Sequence, residues 1–285
     1  MQNHAIAPGK IILSGEYAVV YGYPGIAIPA SIGIETSFIE DLSKSDLEII
    51  WHGIAGGQEW DEYLQQIITL CNTQNDHLFG TLEITNHLPL GKGMGSSTAL
   101  VIAVTRCLLG PDCEEIAMNI EDTVNPGHSG LDFAVIWYNR PVLFRKTVAP
   151  EFIDLPEINF VLIDTGTPNE TTPELIASID TAMQNKDVIV SEAFEVIGEC
   201  TEALHQPNSD VFSIIAKHHE AQCRIGVVPF AVQELIKKIV QDGGAAKIIG
   251  AGSQTGGGGM VLAVHPDPES LQKTIEQSPF EIFKS

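Results

Sequence analysis

Positive charge is scarce in this chain. Its 285 residues include 15 lysines and arginines against 37 aspartates and glutamates, which gives a formal net charge of −22. Such an acidic surface repels nucleic acids and anionic membranes, and we expect neither as a partner. An anionic small molecule would have to be held by local features, such as loop amides, helix ends, single lysines or a metal ion.

Long apolar runs and paired cysteines are also missing. No stretch approaches about 18 consecutive apolar residues, and the first residues lack a signal-peptide core, so we expect a cytoplasmic protein without a membrane span. The five cysteines show neither CxxC pairing nor the spacing of metal ligands. We expect them to be unpaired and mostly buried, as in a reducing compartment.

Hydrophobic residues make up 44% of the chain, which is enough for one large domain or two modest ones. We place a domain boundary near residue 150, so that the domains are 1–150 and 151–285. Periodicity predicts strands at 10–13, 25–28, 31–40, 47–51, 81–85, 141–146, 159–164, 246–250 and 260–265. It predicts helices at 60–71, 112–121 (capped by Asp112), 172–184, 191–204, 209–222, 230–242 and 270–277, with a flexible loop at 250–259.

The most informative stretch, PLGKGMGSSTALVIAVTRCLL, runs from Pro89 to Leu109. Three alternating glycines let the backbone turn tightly and approach a ligand, and successive loop amides together with a helix N-terminus attract anions. A polyphosphate suits such a loop, and a nearby hydroxyl can meet its Mg²⁺. The spacing is not that of a Walker A loop. The alternative is an ordinary glycine-rich turn whose serines cap a helix.

Two further segments accompany this loop: APGKIILSGEYAVVYG near the N-terminus and AKIIGAGSQTGGGGM near the C-terminus. In this order and spacing, the three motifs resemble those of the GHMP kinase superfamily, and they span nearly the whole chain. The resemblance implies a two-domain α+β fold. Its N-terminal domain would be ribosomal-protein-like with a mixed sheet, its C-terminal domain ferredoxin-like, and its active site would lie in the cleft.

Within the superfamily the chain resembles the mevalonate kinase family. The segments AVVYGYPGIAIP, SGLDFAVIWYNRPVLFRK and VLIDTGTPNETTPELI are similar to family patterns, and Glu121 precedes Asp132 by eleven positions, as in the family. The resemblance implies that Asp132 is the catalytic carboxylate, with Lys10 beside it. It also implies that Ser97 and Glu121 ligate Mg²⁺.

The implied activity is the ATP-dependent phosphorylation of a small-molecule alcohol, with mevalonate, converted to 5-phosphomevalonate, as the acceptor. The cofactors would be ATP and Mg²⁺. Acceptor binding is implied for Ser14, Glu16 and Tyr17. Phosphate binding is implied for Pro89, Gly91, Gly93, Met94, Gly95, Ser96, Ser97 and Thr98.

Departures from the family pattern keep alternatives open. Tyr17 stands where mevalonate kinases prefer histidine, and NPGHSG reorders the family's HGNPSG. The third motif has three added residues, 253–255, which we expect to bulge away and leave 256–259 near the phosphates. The alternatives are a phosphomevalonate kinase, another GHMP small-molecule kinase, or a non-catalytic ATP-binding regulator. The presence of Asp132 and Lys10 favours an enzyme, and the oligomeric state stays open, with a homodimer among the options.

Overall fold

The computed structural model describes residues 2–53, 57–74, 78–156 and 158–283. Contacts within the chain define two compact units, and each is assembled from separate pieces of sequence. The first unit comprises Met1–Lys10, Pro29–Leu90 and Met94–Arg140. The second unit comprises Ile11–Ile28, Gly91–Gly93 and Pro141–Ser285. The continuous domains 1–150 and 151–285 stay a prediction.

Helices and strands cover most of the described residues. The strands are β1 Gln2–Ser14, β2 Gly25–Glu40, β3 Leu47–Gly53, β4 Gly80–Asn86, β5 Val142–Phe144, β6 Glu151–Phe152, β7 Val161–Asp164, β8 Ala245–Ile248, β9 Met260–Val264 and β10 Glu281–Ile282. The helices are α1 Gln58–Asn72, α2 Ser96–Leu109, α3 Glu114–Val124, α4 Leu131–Tyr138, α5 Thr172–Gln184, α6 Val188–Leu204, α7 Val211–Ile225, α8 Phe230–Gln241 and α9 Pro268–Glu276, with a 3₁₀ turn at Ala18–Tyr21.

The first unit contains a mixed sheet, as predicted. Strand β2 pairs antiparallel with β4, which pairs parallel with β3, and β1 pairs with β2. The parallel strands β3 and β4 are connected through α1, which buries Leu64, Ile67 and Cys71. Helix α2 is buried on nearly all sides, because its residues are apolar all round rather than on one stripe. The helix that follows the glycine loop is therefore anchored in the core.

The second unit contains a four-stranded antiparallel sheet in the order β10-β7-β9-β8. Numbered within this sheet by position in the chain, the strands stand in the order 4-1-3-2, which is the ferredoxin-like arrangement predicted for this part of the sequence. Helices α8 and α9 share its core through Leu235, Ile239 and Ile275, against Ile248 and Val261 of the sheet. Helix α7 packs between α6 and β8.

The boundaries of helix α5 match the prediction because its first turn carries strong local signals. Thr171 caps the helix by accepting from the amide of Glu174, whose carboxylate accepts from the amide of Thr171 in return. A proline follows in the first turn, where its missing N–H is harmless. Local sequence therefore determines where this helix begins.

Three predictions of secondary structure are wrong. Strand β2 continues through Pro29, because a proline is compatible with a strand wherever no ladder N–H is required. Helix α3 begins at Glu114, so Asp112 lies in the preceding turn and does not cap the helix. The last helix does not end the chain, since β10 follows and pairs with β7; two residues are too few to show a strand periodicity.

The cysteines are unpaired, as expected. All five are free thiols, and four of them are buried. Among the described residues, no helix combines the length and apolar character that crossing a bilayer requires.

A buried ionic cluster lies at the centre of the second unit. Glu16 is 3% exposed, whereas Lys247 and His218 are fully buried. The Lys247 ammonium donates to the Glu16 carboxylate and to the carbonyl of Ile12, and His218 Nε2 lies 3.0 Å from Glu16 Oε2. Burial raises the pKa of Glu16, but the charge of Lys247 and the interactions with Lys247 and His218 outweigh this and lower it to about 2. The carboxylate is therefore charged and depends on Lys247.

We predict that Lys247→Met lowers the free energy of unfolding by about 3–5 kcal/mol, because it leaves the Glu16 carboxylate buried and uncompensated. Chemical denaturation at pH 7 measures this loss. The exposed Lys237, which pairs with Glu234 on α8, supplies the control Lys237→Met, which should change stability little. Equal losses in the two variants would show that the buried pair does not hold the unit together. The double variant Glu16→Gln/Lys247→Met should recover part of the loss.

Candidate active site

The first unit brings together the two residues to which the sequence assigns catalysis. Lys10 on β1 places its Nζ 3.3 Å from Oδ2 of Asp132, in the first turn of α4. The side chain of Lys10 is only 4% exposed, whereas that of Asp132 is 33% exposed. The pair is thus closed on the lysine side and open on the carboxylate side. An open carboxylate next to a buried cation can meet a ligand hydroxyl.

The glycine loop fits tightly around the Lys10 side chain. The Lys10 amide donates to the carbonyl of Met94 at 2.9 Å. At Gly95 the backbone has a φ of +73°, and a Cβ there would lie 2.8 Å from Lys10 Cγ and 3.1 Å from Ile136 Cδ1. Both the conformation and the space therefore require glycine. This packing holds the lysine stem against the start of α2.

A buried carboxylate, Glu121 of α3, lies beside the same helix start. Thr98 Oγ1 donates to Glu121 Oε1 at 2.7 Å. The second oxygen, Oε2, is buried and has no hydrogen-bond partner at normal geometry among the described residues, although Asn125 also interacts with this carboxylate. Burial raises the pKa of the Glu121 carboxyl above its ordinary value, and the nearby charge of Asp132 acts in the same direction. A buried oxygen without a partner calls for a cation or a proton.

Two residues beside this helix start carry oxygen atoms of the kind that ligate Mg²⁺. Glu121 Oε2 and the hydroxyl of Ser97 are the hard oxygen donors that Mg²⁺ prefers. Among residues 2–53, 57–74, 78–156 and 158–283, no group of three or more His, Cys, Asp or Glu side chains could hold a metal by itself.

Tyr63 and Asn125 belong to this neighbourhood, although the sequence did not reveal them. Asn125 Nδ2 donates to the Tyr63 hydroxyl at 2.7 Å, and Ser97 interacts with the same hydroxyl. The spacing of α1 predicts an apolar role for Tyr63, and nothing local distinguishes it. The contact joins positions far apart in sequence, so only the fold reveals it.

In the second unit, the tip of the glycine loop packs backbone to backbone against the third motif. A Cβ on Gly93 would lie 2.5 Å from the carbonyl oxygen of Ile249, and one on Gly250 would lie 2.7 Å from Gly93 Cα. The amide of Met260 donates to the carbonyl of Lys92 at 3.1 Å. Side chains are excluded here by space as well as by conformation.

The third motif is a hydrogen-bonded ribbon rather than the flexible loop expected from its glycines. The amides of Gly257 and Gly259 donate to the carbonyls of Thr167 and Gly166, both at 3.0 Å. In return, the Thr165 amide donates to Gly259 at 2.9 Å. The segment after β7 and the glycine run before β9 are therefore held together along their length.

The three added residues of the third motif fold around one carboxylate. Ser253 is fully buried, and its hydroxyl donates to Glu170. The amides of Gln254 and Thr255 donate to the same carboxylate at 3.0 and 3.2 Å. Gln254 and Thr255 are exposed. The insertion is thus not a loose bulge at Ser253; its orientation relative to a bound phosphate stays a prediction.

Ser14, Glu16 and Tyr17, which we predicted to bind the acceptor, are buried in the second unit and engaged by protein groups. Ser14 Oγ shares a hydrogen bond of 2.7 Å with Thr201 Oγ1, and the Tyr17 hydroxyl donates to the carbonyl of Ala251 at 2.5 Å. Glu16 belongs to the buried ionic cluster. Their part in acceptor binding stays a prediction.

The backbone at these residues is strained. Tyr17 has φ 60° and ψ −52°, and the Ala18 amide donates to the carbonyl of Glu16 at 2.7 Å. Together these describe a γ-turn of the rare, strained form. Backbone strain of this kind persists only where side-chain anchors impose it, and it clusters at functional sites.

Known proteins resemble this chain along nearly its whole length. The family model of the GHMP kinases N terminal domain matches residues 62–140. The mevalonate kinase of Thermococcus onnurineus is 30% identical over 313 aligned positions, covering 95% of this chain and 91% of that protein. The mevalonate kinase of Archaeoglobus fulgidus is 27% identical, covering 91% of each chain. The crystal structure of the Methanococcus jannaschii mevalonate kinase shares the fold, with a TM-score of 0.78, 21% identity and coverage of 99% of this chain and 96% of that one.

These similarities agree with the site geometry. The motifs that carry the resemblance contain the ion pair of Lys10 and Asp132 and the buried carboxylate of Glu121. The chain belongs to the GHMP kinase superfamily, with mevalonate kinases among its relatives, and is an ATP-dependent small-molecule kinase.

Proposed function

We propose that this kinase transfers the γ-phosphoryl group of ATP to the primary hydroxyl of mevalonate, giving 5-phosphomevalonate. The names of its relatives, which align with more than nine-tenths of this chain, support mevalonate as the acceptor. The observation that carries the chemistry is the ion pair of Lys10 and Asp132, in which the carboxylate is one-third exposed and the ammonium is buried.

Asp132 is the residue that receives the proton of the acceptor hydroxyl or orients that hydroxyl for attack. A carboxylate positioned in this way contributes about 10²–10⁴-fold in rate. Lys10 holds Asp132 in place, and its charge offsets the negative charge on the transferring phosphoryl group. The nucleotide phosphates would be held by the loop, namely by Pro89, Gly91, Gly93, Met94, Gly95, Ser96, Ser97 and Thr98.

Ser97 and Glu121 would hold the Mg²⁺ ion. When bound, Mg²⁺ neutralises phosphate charge and makes the γ-phosphoryl group easier to transfer. Thr98 acts through Glu121: its hydroxyl occupies Oε1 and leaves Oε2 for the ion. Tyr63, which contacts both Ser97 and Asn125, keeps the Ser97 hydroxyl near this position.

The acceptor is tested by measuring ADP release with mevalonate, phosphomevalonate, homoserine and galactose. We expect mevalonate to give the highest kcat/KM. Turnover of phosphomevalonate alone would make the mevalonate assignment wrong and leave a kinase of the same superfamily. Binding of ATP without ADP release from any acceptor would instead favour a non-catalytic regulator.

We predict that Asp132→Asn lowers kcat with the best acceptor by about 10²–10⁴-fold, because the substitution keeps the shape and removes the base. Binding of Mg·ATP, measured by calorimetry, should stay within a few-fold of that of the parent. Asp112→Asn, in the exposed turn before α3, makes the same chemical change away from the pair and is the control. A kcat for Asp132→Asn close to that of the control would exclude Asp132 as the catalytic carboxylate.

Glu121→Gln and Ser97→Ala should each weaken binding of Mn²⁺ in the presence of ATP, and should leave binding of metal-free ATP nearly unchanged. The reason is that both variants remove an ion ligand and not a phosphate contact. Electron paramagnetic resonance of Mn²⁺ provides a readout that does not depend on turnover. Glu115→Gln is the matched control, because Glu115 lies on the exposed face of α3, the helix that carries Glu121. Unchanged Mn²⁺ affinity in both site variants would remove these residues from the metal site.

A further inference from the structure

Lys92 has no role in the chemistry described so far, although it lies at the tip of the glycine loop. It stands between Gly91 and Gly93, both of which have a positive φ. Its Nζ lies 2.5 Å from Oδ2 of Asp164, at the end of β7. The side chains are 22% and 29% exposed, so the ion pair is accessible to solvent on both sides.

We propose that Lys92 binds the polyphosphate of the nucleoside triphosphate and that Asp164 holds its ammonium while no nucleotide is bound. The ammonium exchanges one anionic partner for another when the nucleotide arrives. The proposal rests on the assignment of this loop to nucleotide phosphates in the proposed function.

The backbone at Lys92 is hydrogen-bonded and closely packed, whereas its side chain is held, among the described residues, by the ion pair alone. The carbonyl of Lys92 accepts from the amide of Met260 at 3.1 Å. A Cβ on Gly259 would lie 2.9 Å from the same oxygen, so the backbones of Lys92 and Gly259 pack closely. A lysine stem has four rotatable bonds, and its ammonium donates in several directions. Exchange of partners therefore needs rotation of one side chain and no movement of the loop.

Asp164 is the stationary partner of the pair. Its Oδ1 accepts from the amide of Gly166 at 2.9 Å, and its backbone lies opposite Met260 in the sheet. The carboxylate therefore stays near the loop tip after Lys92 leaves it. Being partly exposed, the ion pair is screened by water and contributes little to stability. A ligand with several phosphate charges can displace a single carboxylate from such a pair.

The negative net charge of the chain makes the positive charge of Lys92 important for binding an anion. With a net charge of −22, the protein repels a nucleoside triphosphate at long range, and local cations must compensate. Lys10 is almost fully buried and is paired with Asp132. Lys92 adds a second positive charge at the tip of the loop. An ammonium acts as a point charge, so it can bind phosphate oxygens without a fixed bidentate geometry.

The alternative is that Lys92 and Asp164 form a purely structural pair that fastens the loop tip to β7. The two interpretations predict opposite effects for one substitution. If the pair is structural, removing either charge harms the loop in the same way. If Asp164 competes with phosphate, removing its charge releases Lys92 and does not weaken nucleotide binding.

Calorimetric titration of Mg·ATP without acceptor tests the proposal on the full-length chain. We expect Lys92→Met to raise the Kd by about tenfold, Lys92→Arg to retain most of the affinity, and Asp164→Asn to leave the Kd unchanged or lower it. The Asn side chain can still accept from Gly166. Adenosine, which lacks phosphate, should bind all variants alike. Lys237→Met, which removes one charge from an exposed pair on α8, is the control.

Two results would overturn the proposal. One is a Kd of Lys92→Met within about twofold of the control. The other is a Kd raised equally by Lys92→Met and Asp164→Asn, which is the signature of a structural pair. Melting temperatures of all variants distinguish a local effect from unfolding. A parent chain that binds Mg·ATP but does not phosphorylate mevalonate would overturn only the acceptor, since this titration contains none.

Discussion

Close contact between glycine backbones is the constraint on which the second unit depends. Gly93 lies against Ile249 and Gly250, and Gly257 lies against Gly166, at distances that leave no space for a Cβ. Such contacts bring amides of separate loops together without intervening side chains, and amides arranged in this way favour anions. The same packing removes the freedom that glycines otherwise give a loop. The glycines are thus needed for proximity rather than for flexibility.

Each of the three family motifs also contributes a lysine, and a carboxylate accompanies each lysine. The three carboxylates differ in solvent exposure, and the exposure limits what each lysine–carboxylate pair can do. Asp132 and Asp164 are about one-third exposed, whereas Glu16 is buried. An exposed carboxylate can meet a ligand or give up its cation, but a buried one can do neither without a large loss of stability. These exposures agree with the roles proposed for the first two pairs, namely catalysis and exchange, and with a stabilising role for the third.

Much of the fold was predictable because its signals are local. The capping box at Thr171 sets the start of α5, and the spacing of Leu64, Ile67 and Cys71 identifies α1. Errors arose where a local signal was weak or was overruled. Pro29 indicates a break, yet β2 passes through it, and β10 is too short to show any periodicity.

The sequence by itself determined the family and its kinase class, because the glycines, Lys10 and Asp132 stand in short motifs whose order and spacing are visible without a fold. The tertiary structure alone decided the partners of those residues. Three contacts illustrate this: Tyr63 with Ser97, Thr98 with Glu121, and Lys92 with Asp164. The partners in these contacts are 23 to 72 residues apart in the sequence. Such contacts leave no periodic or local pattern, since burial and hydrogen bonding select partners in space and not along the chain.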